Sequence, residues 1–586
     1  MLGKRSDQRG LFEADHLYLD FVGRDSFYGF LASQRGQLFR DEEFASLYVL
    51  DNGCPSVPPS LLAAALLLQT HDLCSDEEAK ARADFDLRWK VALGVEIEAR
   101  PFAKSTLQLF RAQLILHEQV RAVFQKSLRF ARQAGYLKHQ KIKVALDTSN
   151  ILGRGAVKDT YNLLSDGIIL LVRELAEFAG QTPDGWAGAH DLGRYFATAS
   201  IKGQAEIDWE DKQARERFLS GIVSDADRLL EVAREVLGGF APESAEHNRL
   251  TEAAALLSRL LLQDVERKPE GGAAIKEGVA KDRVVSVHDP EMRHGRKSKA
   301  KRFDGHKAAI AVDTESQLIT AAAVLPGNAP DKERALELVK ETEENAEVEV
   351  EETLGDCAYG DGATRQEFSD AGRPLVAKVP DRAETGYFAK EDFQIDLADP
   401  QAPTCTCPAG EVAKKLVRKS GYKDRDGNNV QSKAFHFDPA QCDACPLRAQ
   451  CVKTAPGKGR TVSLHPQERL IQEARAFQKS EESAPYRKRR QVAEHRLARL
   501  MQLGVRQARY FGRVKTLYQL LMAAMVANLT LVATRTGLMR GQAGGRSSLF
   551  ADFADHLLAI TSSLALSVVC YFDLTQQLNP KSGVVG

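Results

Sequence analysis

Three acids stand in settings that could do chemistry together. Asp147 closes the run Lys141-Ile-Lys-Val-Ala-Leu-Asp147, where apolar and β-branched residues alternate with lysines, so a short strand is expected to carry a carboxylate at its tip. Asp356 follows a second such run, Val348 to Gly355, and Glu494 lies far downstream in a long helical segment. Phosphodiester chemistry without a covalent intermediate needs one oxygen activated as nucleophile and another stabilised as leaving group. Two Mg²⁺ ions roughly 3.5 to 4 Å apart, held by carboxylate and water oxygens, do both. If they converge, Asp147, Asp356 and Glu494 would hold two Mg²⁺ or Mn²⁺ ions. Each acid also has a local role open to it: Asp147 could cap a turn at Thr148 and Ser149, Asp356 could cap the next helix, and Glu494 could pair with Arg490 one helical turn earlier.

Positioning these acids requires a sheet and a helix laid over it. His306 to Thr314 and Leu318 to Leu325 are apolar runs separated by Glu315-Ser-Gln317, the pattern of an antiparallel hairpin. A helix is expected over Asp331 to Glu344, a strand over Val348 to Gly355, a helix near Thr364 to Ala371 and a strand over Pro374 to Val379. The order strand, hairpin, helix, strand, helix, strand, with a final acid-bearing helix, is what a ribonuclease-H-like core requires. The fold expected is mixed α/β, with that core interrupted twice. The divisions are a helical N-terminal domain over 1–138, the start of the core over 139–160, a helical insertion over 161–280, the core resumed over 281–380, a Cys-rich insertion over 381–465, the catalytic-helix segment over 466–540 and a tail over 541–586. Helical breaks are expected near Ser483 to Pro485 and around Gly504.

A chain of 586 residues exceeds one hydrophobic core, and its 43% hydrophobic and 27% charged residues fit a packed globular protein. The zero formal net charge excludes a uniformly basic binder, but charge is concentrated locally. Between Tyr486 and Lys515 ten Lys or Arg face the single acid Glu494, and between Glu291 and Lys307 seven face two. Such blocks suit a phosphate backbone, whose neutralisation releases condensed counterions; the plainer reading is a pair of solvated faces. In the N-terminal segment, Leu107, Phe110 and Leu114 recur at helical spacing behind Ser105 or Thr106, leaving Lys104 and Arg111 near the other face. That suits the second helix of a helix-turn-helix as well as a plain bundle helix. The residues expected to meet DNA are Lys104, Arg111, Arg296, Lys297, Arg487, Arg490 and Arg496.

The nine cysteines and the charged stretch Met1 to Gly10 do not suit a secreted disulfide framework. Leu557 to Phe572 is short for a membrane span and carries hydroxyl residues, so no membrane partner is expected. Cys405-Thr-Cys407, Cys442-Asp-Ala-Cys445 and Cys451 have the paired spacing of a structural zinc module. Five thiols compete for four places. Cys407, Cys442, Cys445 and Cys451 are the expected zinc ligands, with Cys405 the spare; the alternative is reduced thiols that merely pack.

Several separated blocks resemble insertion-sequence transposases of the Asp-Asp-Glu class, and most nearly the branch called insertion sequence eleven-eighty-two. They are Ala145 to Asn162 (ALDTSNILGRGAVKDTYN), Ser286 to Ser298 (SVHDPEMRHGRKS), Phe303 to Lys307 (FDGHK) and Gly355 to Asp361 (GDCAYGD). The resemblance extends over roughly residues 10 to 535, with the blocks in one order. It implies a ribonuclease-H-like catalytic core, a helical N-terminal domain for terminal inverted repeats, and cut-and-paste movement of double-stranded DNA by a homodimer or larger synaptic complex at the nucleoid in the cytoplasm. By position Asp147 matches the first acid, Asp356 the second and Glu494 the third, with Glu482 the fallback. Related elements place Tyr, Arg, Glu and Lys at set intervals; here Tyr486, Arg490 and Glu494 are four apart, and Met501 stands where a basic residue is expected. Asp159 and Asp331 are expected to be structural. The rivals are a domesticated DNA-binding descendant without cutting, a nuclease of the same core without strand transfer, and a zinc-containing regulatory protein.

Overall fold

The computed structural model describes all residues except 6–11, 50–52, 240–243, 299, 380–385, 400, 419–421, 424–428, 431–432 and 541–586, so the tail and the stretch Leu557 to Phe572 lie outside the described residues. The N-terminal third is helical. Helix α1 (Pro59–His71) opens on a proline and is apolar on every side, and it is buried on nearly every side among its neighbours. Helices α2 (Lys104–Leu116) and α3 (Val120–Gln133) pack beside it through Leu107, Phe110, Leu114, Phe124 and Leu128.

Strand β1 (Lys141–Leu152) begins the sheet. It is longer than the short strand expected to end at Asp147. Thr148, Ser149 and Asn150 look like a turn in sequence, yet they continue the antiparallel ladder opposite Ala309, Ala308 and Lys307. Helices α4 (Thr160–Phe178), α5 (Lys212–Gly238) and α6 (Ala245–Asp264) follow and enclose a core of their own, with Leu164, Ile168, Leu171, Ile222 and Leu257 at its centre. Asp159 caps α4 by accepting the N–H groups of Tyr161 and Asn162, the structural role expected of it.

The sheet resumes with β2 (Arg293–Arg296), β3 (Arg302–Asp313) and β4 (Ile319–Pro326), then helix α7 (Ala335–Ala346), β5 (Glu349–Gly355), helix α8 (Gly362–Asp370) and β6 (Leu375–Ala377). Strand β3 pairs β1 on one edge; on its other edge it pairs β2 with its first residues and β4 with the rest. Beyond β1 lie β5 and β6, both parallel. Gly305 (φ 151°) lies so close to the backbone at Ile151 and Gly153 that a Cβ would collide there, which accounts for the glycine in the Phe303 to Lys307 block. Asp289 and His306, from two of the separated sequence blocks, form a fully buried pair 3.3 Å apart that ties the loop before β2 to β3. The mixed sheet with helices on both faces is compatible with a ribonuclease-H-like core.

Residues 386–465 carry two small three-stranded sheets over a slight core of Phe393, Cys405, Ala413, Phe435, Phe437 and Val462. The chain ends in helices α9 (Glu468–Lys479), α10 (Ser483–Leu500) and α11 (Arg513–Arg535). Both expected breaks are present: α9 and α10 separate just before Ser483, and past α10 the helix kinks at Gly504, whose φ of 82° suits glycine. Helix α11 is long and apolar enough to cross a membrane, but most of it is buried between the sheet and the N-terminal helices. Residues of α1, α2 and α3, one sheet face, α10 and α11 thus share a single hydrophobic core.

Candidate active site

The register of two neighbouring strands brings the first two acids together. Strands β1 and β5 run parallel, and their last paired residues are Ala145 and Leu354. Asp147 and Asp356 each stand two residues further on, Asp147 midway along β1 and Asp356 just past the end of β5. Side chains alternate faces with a period of two, so Asp147 shares the face of Ala145 and Asp356 that of Leu354. Ala145 and Leu354 both pack in the core that α10 covers through Ala493, Leu497 and Leu500. The next helical turns of α10 back towards its start therefore lie over the two acids.

From α10 comes Arg490, whose guanidinium stands 3.7 Å from the Asp147 carboxylate and also pairs with Glu494. Burial pushes the Asp147 carboxyl up to about 6, helped by the negative charges of Asp356 and Glu494, while Arg490 and the Thr148 N–H act the other way. Asp147, Asp356 and Glu494 thus share one electrostatic environment, with Asp147 at 17% side-chain exposure and Glu494 at 50%. The local roles coexist with this convergence: Asp147 accepts from the Thr148 N–H, Asp356 caps the short turn after β5 by accepting from Ala358, and Glu494 pairs with Arg490. The fallback acid Glu482 is exposed and lies before α10 begins.

Among the described residues no three His, Cys, Asp or Glu side chains already form a metal cage. At the acids Arg490 pairs with Glu494 and stands 3.7 Å from Asp147, so a cation already lies between the two carboxylates. The donor set is hard oxygen, the chemistry Mg²⁺ and Mn²⁺ prefer.

Sequence reasoning missed Tyr359, whose ring is buried on the opposite sheet face and whose charge environment includes Asp147, Asp331 and Asp356. Its place in the block Gly355 to Asp361 was the available signal. Asp331 is held by the Lys307 ammonium at 2.7 Å, a structural pairing as expected.

The basic residues divide. Arg487 is exposed three residues before Arg490 on α10, and Arg296 and Lys297 are exposed at the end of edge strand β2. Lys104 is exposed, with its ammonium 2.6 Å from Glu77. Arg111 departs from expectation: it is buried, bonds to Asp76 at 2.5 and 3.1 Å and to Gln69 at 3.1 Å, and lies over the Tyr510 ring. Its donors are turned inward because the face expected to meet DNA packs against the Asp76 helix and the loop before α11. Arg496 is also buried, at 7% exposure, because its side of α10 faces away from the acids. Neither presents a surface to a phosphate backbone in this conformation. Tyr486 packs edge-on to Phe477 with ring centroids 5.2 Å apart and lies under the ammonium of Lys143 at 5.9 Å.

The thiols also divide, on spacing and on burial. Cys405 is fully buried in the small core, whereas Cys407, Cys442, Cys445 and Cys451 are half-buried and line one cleft. Burial and the neighbouring thiols push Cys451 up, while Arg460 opposes them.

Comparison with known families adds two matches. A family model described as a transposase DDE domain matches residues 406–533, and one described as a transposase domain (DUF772) matches residues 19–113. The first match contains Glu494 and the four cleft cysteines but begins after Asp147 and Asp356; the second covers α1 and most of α2. Together they support a DDE-type transposase family for the chain and a DNA-cutting transposase function. No curated protein and no solved structure matches it.

Proposed function

We propose that this chain cuts double-stranded DNA at terminal inverted repeats and joins the freed 3′ ends to target DNA, with Asp147, Asp356 and Glu494 as its catalytic acids. The observation that carries the reading is the register of β1 and β5, which sets two acids side by side on the face that α10 covers with the third. Two Mg²⁺ or Mn²⁺ ions held by these carboxylates would activate the attacking oxygen and stabilise the leaving one. Asp147, held midway along β1, and Asp356, just past the end of β5, would set the position of the reacting phosphate, while Glu494 closes the site from above. Arg490, released from the acids as the site fills, is placed to hold a strand phosphate together with exposed Arg487. Arg296, Lys297 and Lys104 supply further backbone contacts in this reading. In this reading the chain belongs to the insertion sequence eleven-eighty-two branch, and the working unit would be a homodimer or larger synapse in the cytoplasm at the nucleoid.

The direct test uses supercoiled plasmid carrying the inverted repeats that flank the gene, a target plasmid and Mg²⁺. Joined products are expected; cleavage without joining would make the chain a nuclease, and binding without cleavage a domesticated DNA-binding protein.

We also propose that Cys407, Cys442, Cys445 and Cys451 bind one structural Zn²⁺. The support is their shared cleft, the exclusion of Cys405 from it, and a surrounding core too slight to hold residues 386–465 by apolar burial alone. Purified protein should contain about one zinc per chain by elemental analysis, and Cys442→Ser should lose it and expose the 386–465 segment to protease. A Cys405→Ser variant should retain the metal. Zinc-free protein with an equally protected segment would refute the assignment.

A further inference from the structure

We infer that the surface around Phe511, with the cations Arg154, Arg506 and Lys515, grips one strand of the transposon end near the catalytic acids, with a base laid on the Phe511 ring. This rests on the transposase reading given above and adds a DNA-contact surface to it. Strand β1 has two edges. Strand β3 takes one of them, and the other carries β5 over residues 141–145 and then the segment Arg506 to Ala508 at Leu152. There the Leu152 N–H donates to the Arg506 carbonyl at 2.9 Å and the Ala508 N–H to the Leu152 carbonyl at 2.8 Å. Asp147 lies between the two attachments. Five residues of extended chain, about 17 Å, separate it from Leu152, which is the length of about five stacked nucleotides of one strand.

Three segments distant in sequence meet at this end of β1. The Arg154 guanidinium donates to the Arg509 carbonyl and lies over the Phe511 ring, 5.3 Å from its centroid, with the His288 ring 6.5 Å away. The segments are pinned to one another. The Gln507 side chain donates to the Gly153 carbonyl, that of Gln519 donates to the Gly504 and Gln507 carbonyls, and Glu291 accepts from both the backbone and the guanidinium of Arg513. Phe511 is nonetheless 42% exposed, and Leu152 and Val514 are exposed as well. One exposed apolar side chain is ordinary, but here three stand on one pinned surface among cations. The charges choose the partner. Residues 152–158, 286–292 and 506–515 contain only two acids, and both are engaged, Asp289 by His306 and Glu291 by Arg513. Arg154, Arg506 and Lys515 are exposed and make no ion pair among the described residues. A nucleic-acid strand satisfies both halves of this surface: its phosphates take the cations, and a base takes the ring, where stacking tolerates any base and a neighbouring guanidinium adds to it.

The experiment titrates the full-length protein, without divalent metal so that DNA is bound and not cut, into duplexes of the flanking inverted repeat. Each duplex carries 2-aminopurine at one position near the cleavage end, and binding is measured at several salt concentrations. In wild type a position about five nucleotides from the end should brighten as its base leaves the stack. Phe511→Ala should lose that signal and weaken binding by about tenfold at an unchanged melting temperature, and Phe511→Trp should keep both signal and affinity. Lys515→Ala should lower the salt slope of binding by about one. Equal affinity of Phe511→Ala and wild type would overturn the inference, and so would the absence of any brightening position. A Phe511→Ala variant that changes only from dimer to monomer in sedimentation, with DNA binding intact, would also overturn it, because the ring would then face a second copy of the chain. The two levels separate: wild type that binds no DNA removes the transposase reading itself, whereas repeat-specific binding untouched by Phe511→Ala removes this surface alone.

Discussion

Replacing Asp147 by Asn should abolish DNA cleavage and joining while making the metal-free protein more stable. On the proposed assignment the loss follows from removing a charged oxygen ligand, where metal-assisted stabilisation of the transition state would amount to several kcal/mol, so a fall of about 10³-fold or more is expected. The gain follows from burial. Folding raises the Asp147 carboxyl from its ordinary 3.8 to about 6, so the folded state disfavours the ionised form. Below pH 4 the group is protonated in both states and contributes nothing. As pH rises through this window the unfolded chain releases the proton first, and above about pH 6 the folded protein carries the whole cost, on the order of 3 kcal/mol. Asn removes it. Metal-free melting curves of wild type and Asp147→Asn should therefore diverge between pH 4 and 6 and stay apart at pH 7.5, with the variant higher. Mg²⁺ should raise the wild type and leave the variant unmoved. A variant that melts lower than wild type at pH 7.5 would mean that Asp147 is a structural acid.

Asn528→Leu should be among the most destabilising single changes outside the acids, although it makes an apolar helix more apolar. Asn528 is fully buried on α11, accepts from the Ile319 N–H at 2.9 Å and donates to the Ile319 carbonyl at 2.8 Å. Among the described strands β4 pairs only with β3, and the amide serves Ile319 as a neighbouring strand's peptide would. Leucine leaves both backbone groups buried without partners, at about 1 to 3 kcal/mol each, so a loss of roughly 3 to 5 kcal/mol is expected in urea denaturation. Helix α11 carries the packing between sheet and N-terminal helices, and it packs against α10 in the same core. Cleavage by this variant should accordingly fail at a lower temperature than in wild type, with normal activity in the cold. Asn528→Asp, which sets a carboxylate against the Ile319 carbonyl in the core, should be destabilised at least as much at neutral pH. Equal denaturation midpoints for the Asn528→Leu variant and the wild type would show that α11 is not pinned through this amide.

The strands and helices around the acids were legible because their patterns are local. The hairpin over His306 to Leu325 has two apolar runs and a polar turn, and the breaks before Ser483 and at Gly504 carry their own backbone signals. The far half of β1 was not legible. Thr148, Ser149 and Asn150 are strand only because β3 offers them a ladder, and that partner lies about 160 residues away in sequence. Arg111 misled for a related reason: a helix pattern shows which face is apolar, but not that Asp76 lies across the other face.

What the sequence determined by itself is the set of chemical parts: acids on or just after strands and on a late helix, paired cysteines, and basic blocks, all fixed by residue type and short-range periodicity. What only the tertiary structure decided is which parts meet. The register of β1 against β5 brought the stretches carrying Asp147 and Asp356 side by side, and the lie of α10 brought Arg490 between Asp147 and Glu494. The physical reason is that burial and pairing between distant segments depend on three-dimensional neighbours, and the same carboxylate is an ordinary surface acid or a strained ligand according to what packs around it.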